Sequence, residues 1–212
     1  MADDVTDVPS SIDLRLAADA ATWADEADRK RPWRRELRRR IAELVRDRLG
    51  DRPLRILELG PGPGLLAEVV LATCAIERYT LLDFSPPFLA MCRERLGRSV
   101  DYVEGDFTQP DWPGLVDGPF DAVLAMQSVH ELRHKRRVPA LYAQIRSLLG
   151  EGGMLVVCDH DPFDDTPRMT SLLATEAEQH AALAAAGFTD VATEARAHGL
   201  YVCSGKSAES RW

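Results

Sequence analysis

Residues 54–74 read LRILELGPGPGLLAEVVLATC. A short apolar run ends in a turn that alternates glycine and proline, and the segment beyond it has helical composition. Strand, glycine turn and helix in that order open a nucleotide-binding βαβ unit. Working outward, YTLLD (79–83) predicts a strand, PPFLAMCRERLG (86–97) a helix with proline near its start, and VDYVEGD (100–106) a strand. FDAVLAMQ (120–127) is almost continuously apolar, as a strand buried on both faces must be. A helix over 138–149 precedes a strand at MLVVCD (154–159). A helix over 176–186 then leads to FTDVATEAR (188–196) and LYVCSGK (200–206), parted by Ala197-His198-Gly199. The expected fold is α/β, with a mostly parallel sheet that ends in an antiparallel C-terminal hairpin and binds ligand at its strands' carboxyl ends.

Upstream of this body, a helix is expected over 12–28 after an unstructured stretch at 1–11. A second helix starts near Arg31-Pro32-Trp33, carries Leu37, Ile41, Leu44, Val45 and Leu49 on one stripe, and closes at Gly50. The charge divides at the same place: residues 1–28 carry −7, residues 29–52 carry +7 and the remainder carries −8. The expected division is an N-terminal arm and helical lid at 1–51 and a ligand-binding domain at 52–212. The basic helix has three readings, of which RNA binding is the least favoured because little beyond Trp23 and Trp33 interleaves aromatic rings with the charge. Otherwise it is a solvated face set against the acidic arm, or Arg31, Trp33 and Arg34 fold over the site and attract an anionic substrate.

The residues past the strand ends are polar. Glu58 and Gly60, Gly62 and Gly64 follow the first strand, where glycine lets the backbone approach a ligand and a helix N-terminus offers free N–H groups. Asp83 follows the second, placed to accept two ribose hydroxyls, and Asp106 with Phe107 follows the third, a carboxylate for an exocyclic amine beside a ring for a base. The ligand is adenosine-shaped. In a dinucleotide fingerprint the third glycine would fall at Leu65, and no Gly-Lys-Ser/Thr follows the turn, so neither that fingerprint nor a P-loop is present. Glu58 repels a pyrophosphate and attracts an ammonium or sulfonium.

In these segments the chain resembles the class I S-adenosylmethionine-dependent methyltransferases. ILELGPGPG (56–64), YTLLDFS (79–85), VEGDF (103–107), FDAVLAMQSVHEL (120–132), LLGEGGMLVV (148–157) and the terminal AAGFTDV with YVCSGK match in the expected order across about 52–206. The resemblance implies a Rossmann-like three-layer sandwich with a seven-stranded sheet and N-terminal helices. It implies S-adenosyl-L-methionine as cofactor and direct methyl transfer to oxygen or nitrogen of a small-molecule acceptor. By it, Gly60, Gly62 and Gly64 border the methionine portion, Asp83 holds the ribose, Phe84, Asp106 and Phe107 meet the adenine, and Gln127 lies near the methionine amino end. His130, Glu131 and His160, beyond the fourth and fifth strands, are candidates for a general base. Asp159 and Asp161 read as strand-end caps, and His134, His180 and His198 as surface residues.

Two rival readings stand beside this one. His130-Glu131-Leu132-Arg133-His134 matches the H-E-x-x-H signature of zinc hydrolases, but that signature needs a helix, and Arg133, Lys135, Arg136 and Arg137 crowd the proposed metal with cations. No metal is expected. The other rival is a non-catalytic S-adenosylmethionine-binding or interaction protein. Under the methyltransferase reading the expected partners are a small-molecule acceptor and a second copy of the chain in a homo-oligomer. Four cysteines without metal-ligand or disulfide spacing fit a reducing cytoplasm, no run suggests a membrane span, and a net charge of −8 argues against a nucleic-acid coat.

Overall fold

A computed structural model describes residues 6–208. Helices α1 (Ala17–Lys30) and α2 (Arg34–Leu49) precede β1 (Leu54–Leu59), α3 (Leu65–Thr73), β2 (Ile76–Asp83), α4 (Pro86–Leu96) and β3 (Asp101–Glu104). There follow β4 (Phe120–Met126), α5 (Val138–Leu148), β5 (Leu149–His160), α6 (Pro167–Leu172), α7 (Glu176–Ala185), β6 (Phe188–Ala197) and β7 (Leu200–Ser207). The described residues form one seven-stranded sheet in the order β3-β2-β1-β4-β5-β7-β6, parallel from β1 to β5, with β7 inserted antiparallel between β5 and β6. This is the expected Rossmann-like sandwich. The strand order reverses between β1 and β4, and the crevice at that switch point is where such a sheet receives ligand.

Two apolar clusters flank the sheet. One joins Leu57, Leu59, Val123, Leu155 and Val157 to Leu141, Tyr142 and Ile145 of α5 and to Leu183 of α7. The other joins Ile56, Leu81, Leu124 and Val156 to Leu66 and Val70 of α3 and to Leu37, Ile41 and Val45 of α2. The stripe read from the sequence of α2 therefore buries against the sheet's second face, while Glu36 on its outer side pairs with Arg39 and Arg40.

Local signals set the helix starts. Ser85 accepts the Phe88 N–H ahead of Pro86, Thr166 accepts the Met169 N–H ahead of Pro167, and Thr175 forms a reciprocal capping box with Glu178. Three expectations need correction. The first helix begins at Ala17 rather than residue 12, and α6 was not anticipated because a six-residue helix has no periodicity to read. The unstructured stretch expected at 1–11 falls partly outside the described residues, but from Val8 onward it is held in place. Val8 N–H donates to the Arg133 carbonyl (2.9 Å), and Arg133 Nε donates back to the Val8 carbonyl (2.8 Å). No helix among the described residues is long and apolar enough to cross a membrane.

Candidate functional site

The glycine turn is fastened from three sides. Gly62 N–H donates to Asp83 Oδ2 (3.2 Å), Cys92 Sγ donates to the Gly62 carbonyl (3.0 Å), and Arg95 Nε donates to the Pro63 carbonyl (2.9 Å). Gly60 has φ +64°, and a Cβ there would stand 2.6 Å from the Ser128 Cβ, so only glycine lets the β1 turn and the β4 loop meet this closely. Ser128 fixes the approach by donating to the Leu59 carbonyl (2.7 Å). A cleft of about 90 Å³ runs along this seam, lined by Gly60, Gly62, Asp83, Phe107, Gln127 and His130.

Glu58 and Asp83 are both buried carboxyls, 2% and 3% exposed. Burial pushes Asp83 up to about 6 against the opposing donation of the Ser85 and Gly62 N–H groups. Burial likewise pushes Glu58 up to about 7, opposed by the Tyr79 hydroxyl that donates to it at 2.6 Å and assisted by the Asp83 charge. A carboxyl raised in the folded state stabilises the fold at low pH and forfeits that contribution as pH rises through its folded value. Glu58→Gln, which keeps an acceptor for Tyr79, is therefore expected to be more stable than wild type by about 3 kcal/mol at pH 8, with the gap closing towards pH 5. Urea unfolding at the two pH values checks this; an equal gap at both would show that ionisation of Glu58 is not its source.

At the adenine end implied by the resemblance, the structure places a side chain of the N-terminal strap. The Arg15 guanidinium lies 4.4 Å over the Phe84 ring, and its Nη2 pairs with Asp106 Oδ2 at 3.1 Å. Ser85 Oγ donates to the Leu14 carbonyl, and Trp23 of α1 packs edge-on against Phe88 at 5.4 Å. Phe107 is 5% exposed and belongs to the first core cluster as well as lining the cleft.

Past β4 and β5 the site is built of imidazoles and acids. Asp159, 2% exposed, is not a simple strand-end cap: it accepts His130 Nδ1–H (2.8 Å), the His130 backbone N–H (3.2 Å) and the His160 backbone N–H (2.8 Å). Asp161 does cap, accepting the Glu176 N–H. Burial opposes a charge on His130, but the adjacent Asp159 carboxylate outweighs it and holds the imidazole above its ordinary value. Glu131 stands 3.6 Å from His130 Nε2 and 3.3 Å from Arg133. His160 goes the other way, down to about 4, because burial outweighs its attraction to Asp159. Its Nε2 therefore accepts from the Gln127 amide at 2.8 Å. Gln127 holds φ +57° to reach that position, a left-handed conformation of the kind that clusters at functional sites.

The H-E-x-x-H reading does not fit this geometry. Val129–Leu132 is a single 3-10 turn, His130 is committed to Asp159, and His134 accepts the Arg136 N–H at the start of the next turn. Among the described residues no three His, Cys, Asp or Glu side chains converge as a metal site. Of the other histidines, His198 is exposed and stacks on Trp33, whereas His180 is half-buried and meets Thr193.

Known proteins agree with the fold and the motifs. Residues 56–153 match a family described as methyltransferase domain. A demethylmenaquinone methyltransferase of Thermus thermophilus is 33% identical over 129 residues, 59% of this chain and 54% of the relative. A fatty-acid O-methyltransferase of Mycolicibacterium smegmatis is 31% identical over 121 residues, 57% of this chain and 42% of the relative. The N-methyltransferase NodS of Bradyrhizobium japonicum has a similar fold, with a TM-score of 0.64 at 17% identity, covering 84% of this chain and 98% of that one. The chain spans about half the length of the curated relatives just named. The glycine turn, the seven-stranded order and the matched segment agree with one another: residues 56–153 match the methyltransferase domain family, and the sheet has the fold of the class I S-adenosylmethionine-dependent methyltransferases.

Proposed function

We propose that the protein transfers the S-methyl group of S-adenosylmethionine to a nucleophilic oxygen or nitrogen of a small-molecule acceptor. The observation that carries this reading is the seam at Gly60, where the glycine turn, the buried Asp83 and His130, held from behind by Asp159, line one cleft. The residues present fit the donor: a cradle that a Cβ would fill, a carboxylate for the ribose hydroxyls, and Phe84, Asp106 and Phe107 for the adenine. Glu58 and Gln127 flank the methionyl end. The donor, when bound, supplies a methyl group with its leaving group already attached.

The chain's own contribution is then orientation, exclusion of water and proton transfer. Asp159 fixes the Nδ1–H tautomer of His130, which leaves Nε2 as the lone pair facing the cleft. The acceptor's O–H or N–H proton passes to that Nε2 as the nucleophile engages the methyl group. Glu131 beside Nε2 stabilises the imidazolium formed. His160 and Gln127 act together as a neutral pair that holds the end of β4 in place. Phe163, 71% exposed and edge-on to His160 at 6.5 Å, offers an apolar surface to the acceptor at the mouth.

The Arg15 contact supplies a test of where the adenine sits. If the base stacks on Phe84 and meets Asp106, Arg15 must leave before the donor binds, and the guanidinium pair competes with it. Arg15→Ala is expected to bind S-adenosylhomocysteine about twofold to fivefold more tightly than wild type, since an exposed ion pair of this kind contributes up to about 1 kcal/mol. Calorimetric titration checks it. Unchanged or weaker binding would place the adenine elsewhere, and no binding by either protein would remove the donor.

A further inference from the structure

Arg34, the first residue of α2, is 5% exposed and yet has no ion-pair or side-chain hydrogen-bond partner among the described residues; its Nε is buried and unpaired. Asp28, whose charge acts on it, already receives both terminal nitrogens of Arg38 (2.9 and 2.5 Å) and Nε of Arg35 (3.3 Å). Arg31 and Arg38 add positive charge, and the remaining contact is the Trp23 ring at 5.5 Å. An unpaired buried charge opposes folding, and truncating a well-packed one need not destabilise.

Arg34 lines a recess of about 40 Å³ beside the glycine turn, together with Glu58, Pro61, Met126 and Gln127. That volume accommodates the end of a ligand, and the planar fork of an arginine matches a carboxylate with two parallel N–H donors. We infer that Arg34 is the receptor for a ligand carboxylate, and that the α1–α2 cap reaches full stability only when such an anion completes the pair. Two ligands share this chemistry: the methyl donor through its amino-acid end, and an acceptor that carries a carboxylate away from its nucleophile. The choice between them rests on the methyl-transfer reading, whereas the anion seat does not.

Thermal unfolding of the full chain in sodium acetate against sodium chloride of equal ionic strength tests the seat. At tenfold saturation acetate is expected to raise the wild-type midpoint by about 3 °C more than that of Arg34→Met. An equal shift in both proteins, or none in wild type, overturns the assignment. Should Arg34→Met fail to fold, Arg34→Lys keeps the charge and loses the fork; it is expected to lose at least half of the shift, and retention of the whole shift overturns the proposal.

Calorimetry separates the sources. If the donor brings the anion, Arg34→Met weakens S-adenosylhomocysteine by about tenfold or more, leaves 5′-methylthioadenosine unchanged, and acetate no longer stabilises the S-adenosylhomocysteine complex. If the acceptor brings it, both nucleosides bind the variant as they bind wild type, and acetate still stabilises the complex. Should neither nucleoside bind wild type while the acetate difference persists, the methyl-transfer reading fails and the anion seat stands.

Discussion

His130→Ala is expected to lower the rate of methyl transfer by about 10²- to 10⁴-fold, the range over which a positioned general base acts. The effect should fall on kcat, because in the proposed mechanism the imidazole meets the acceptor's proton only as the bond to the methyl group forms. Wild-type activity should rise with pH through a value above the ordinary 6.5 of histidine, since Asp159 holds the imidazolium and only the neutral ring accepts a proton. Asp159→Asn removes that charge and sets an amide N–H against the donors that now point at a carboxylate. Its rising limb should move to lower pH while kcat falls. A role confined to stability would lower the yield of folded protein without moving that limb. Transfer by His130→Ala at the wild-type rate would remove the base from the account.

The sheet was legible because its strands are nearly continuous apolar runs separated by glycine and proline, a pattern only buried parallel strands need. β5 is the instructive exception. Its first residues, Leu149 to Gly153, look like a glycine-rich loop, yet they extend the strand because Leu149 pairs with Phe120 and a Cβ at Gly153 would stand 3.1 Å from the Phe120 carbonyl. No local signal announces such a contact. The same holds at the site. Gly60 and Asp83 could be named from spacing, but the partner of His130 could not, since Asp159 is twenty-nine residues away and its environment is set by the pairing of β4 with β5. The N-terminal segment was hardest to read. Its acidic composition suggests a free arm, whereas Val8, Leu14 and Arg15 reach Arg133, Ser85 and Asp106. In the basic helix, Arg39 and Arg40 are exposed and pair with Glu36 of the helix itself, Arg35 and Arg38 pair with Asp28 of the acidic arm, and Arg34 is buried beside the glycine turn.

Asp83 carries the largest expected effect on binding. Its carboxylate is buried, ties the glycine turn through Gly62 and the start of α4 through Ser85, and retains acceptor capacity towards the cleft. Two ribose hydroxyls donating to one carboxylate contribute about 1.5–3 kcal/mol each, and with both lost the donor should bind at least about 100-fold more weakly. The raised value of Asp83, about 6, adds a pH signature: its charged form is lost as pH falls below that point, and binding should weaken with it.

The most direct measurement is calorimetric titration of S-adenosylhomocysteine into wild type and Asp83→Ala at pH 7.5, with thermal unfolding to confirm that both are folded. Binding of one molecule per chain to wild type, lost or weakened by about 100-fold or more in Asp83→Ala, is the result predicted. No binding to folded wild type, or equal affinity in the two proteins, would contradict the assignment of this cleft to the methyl donor.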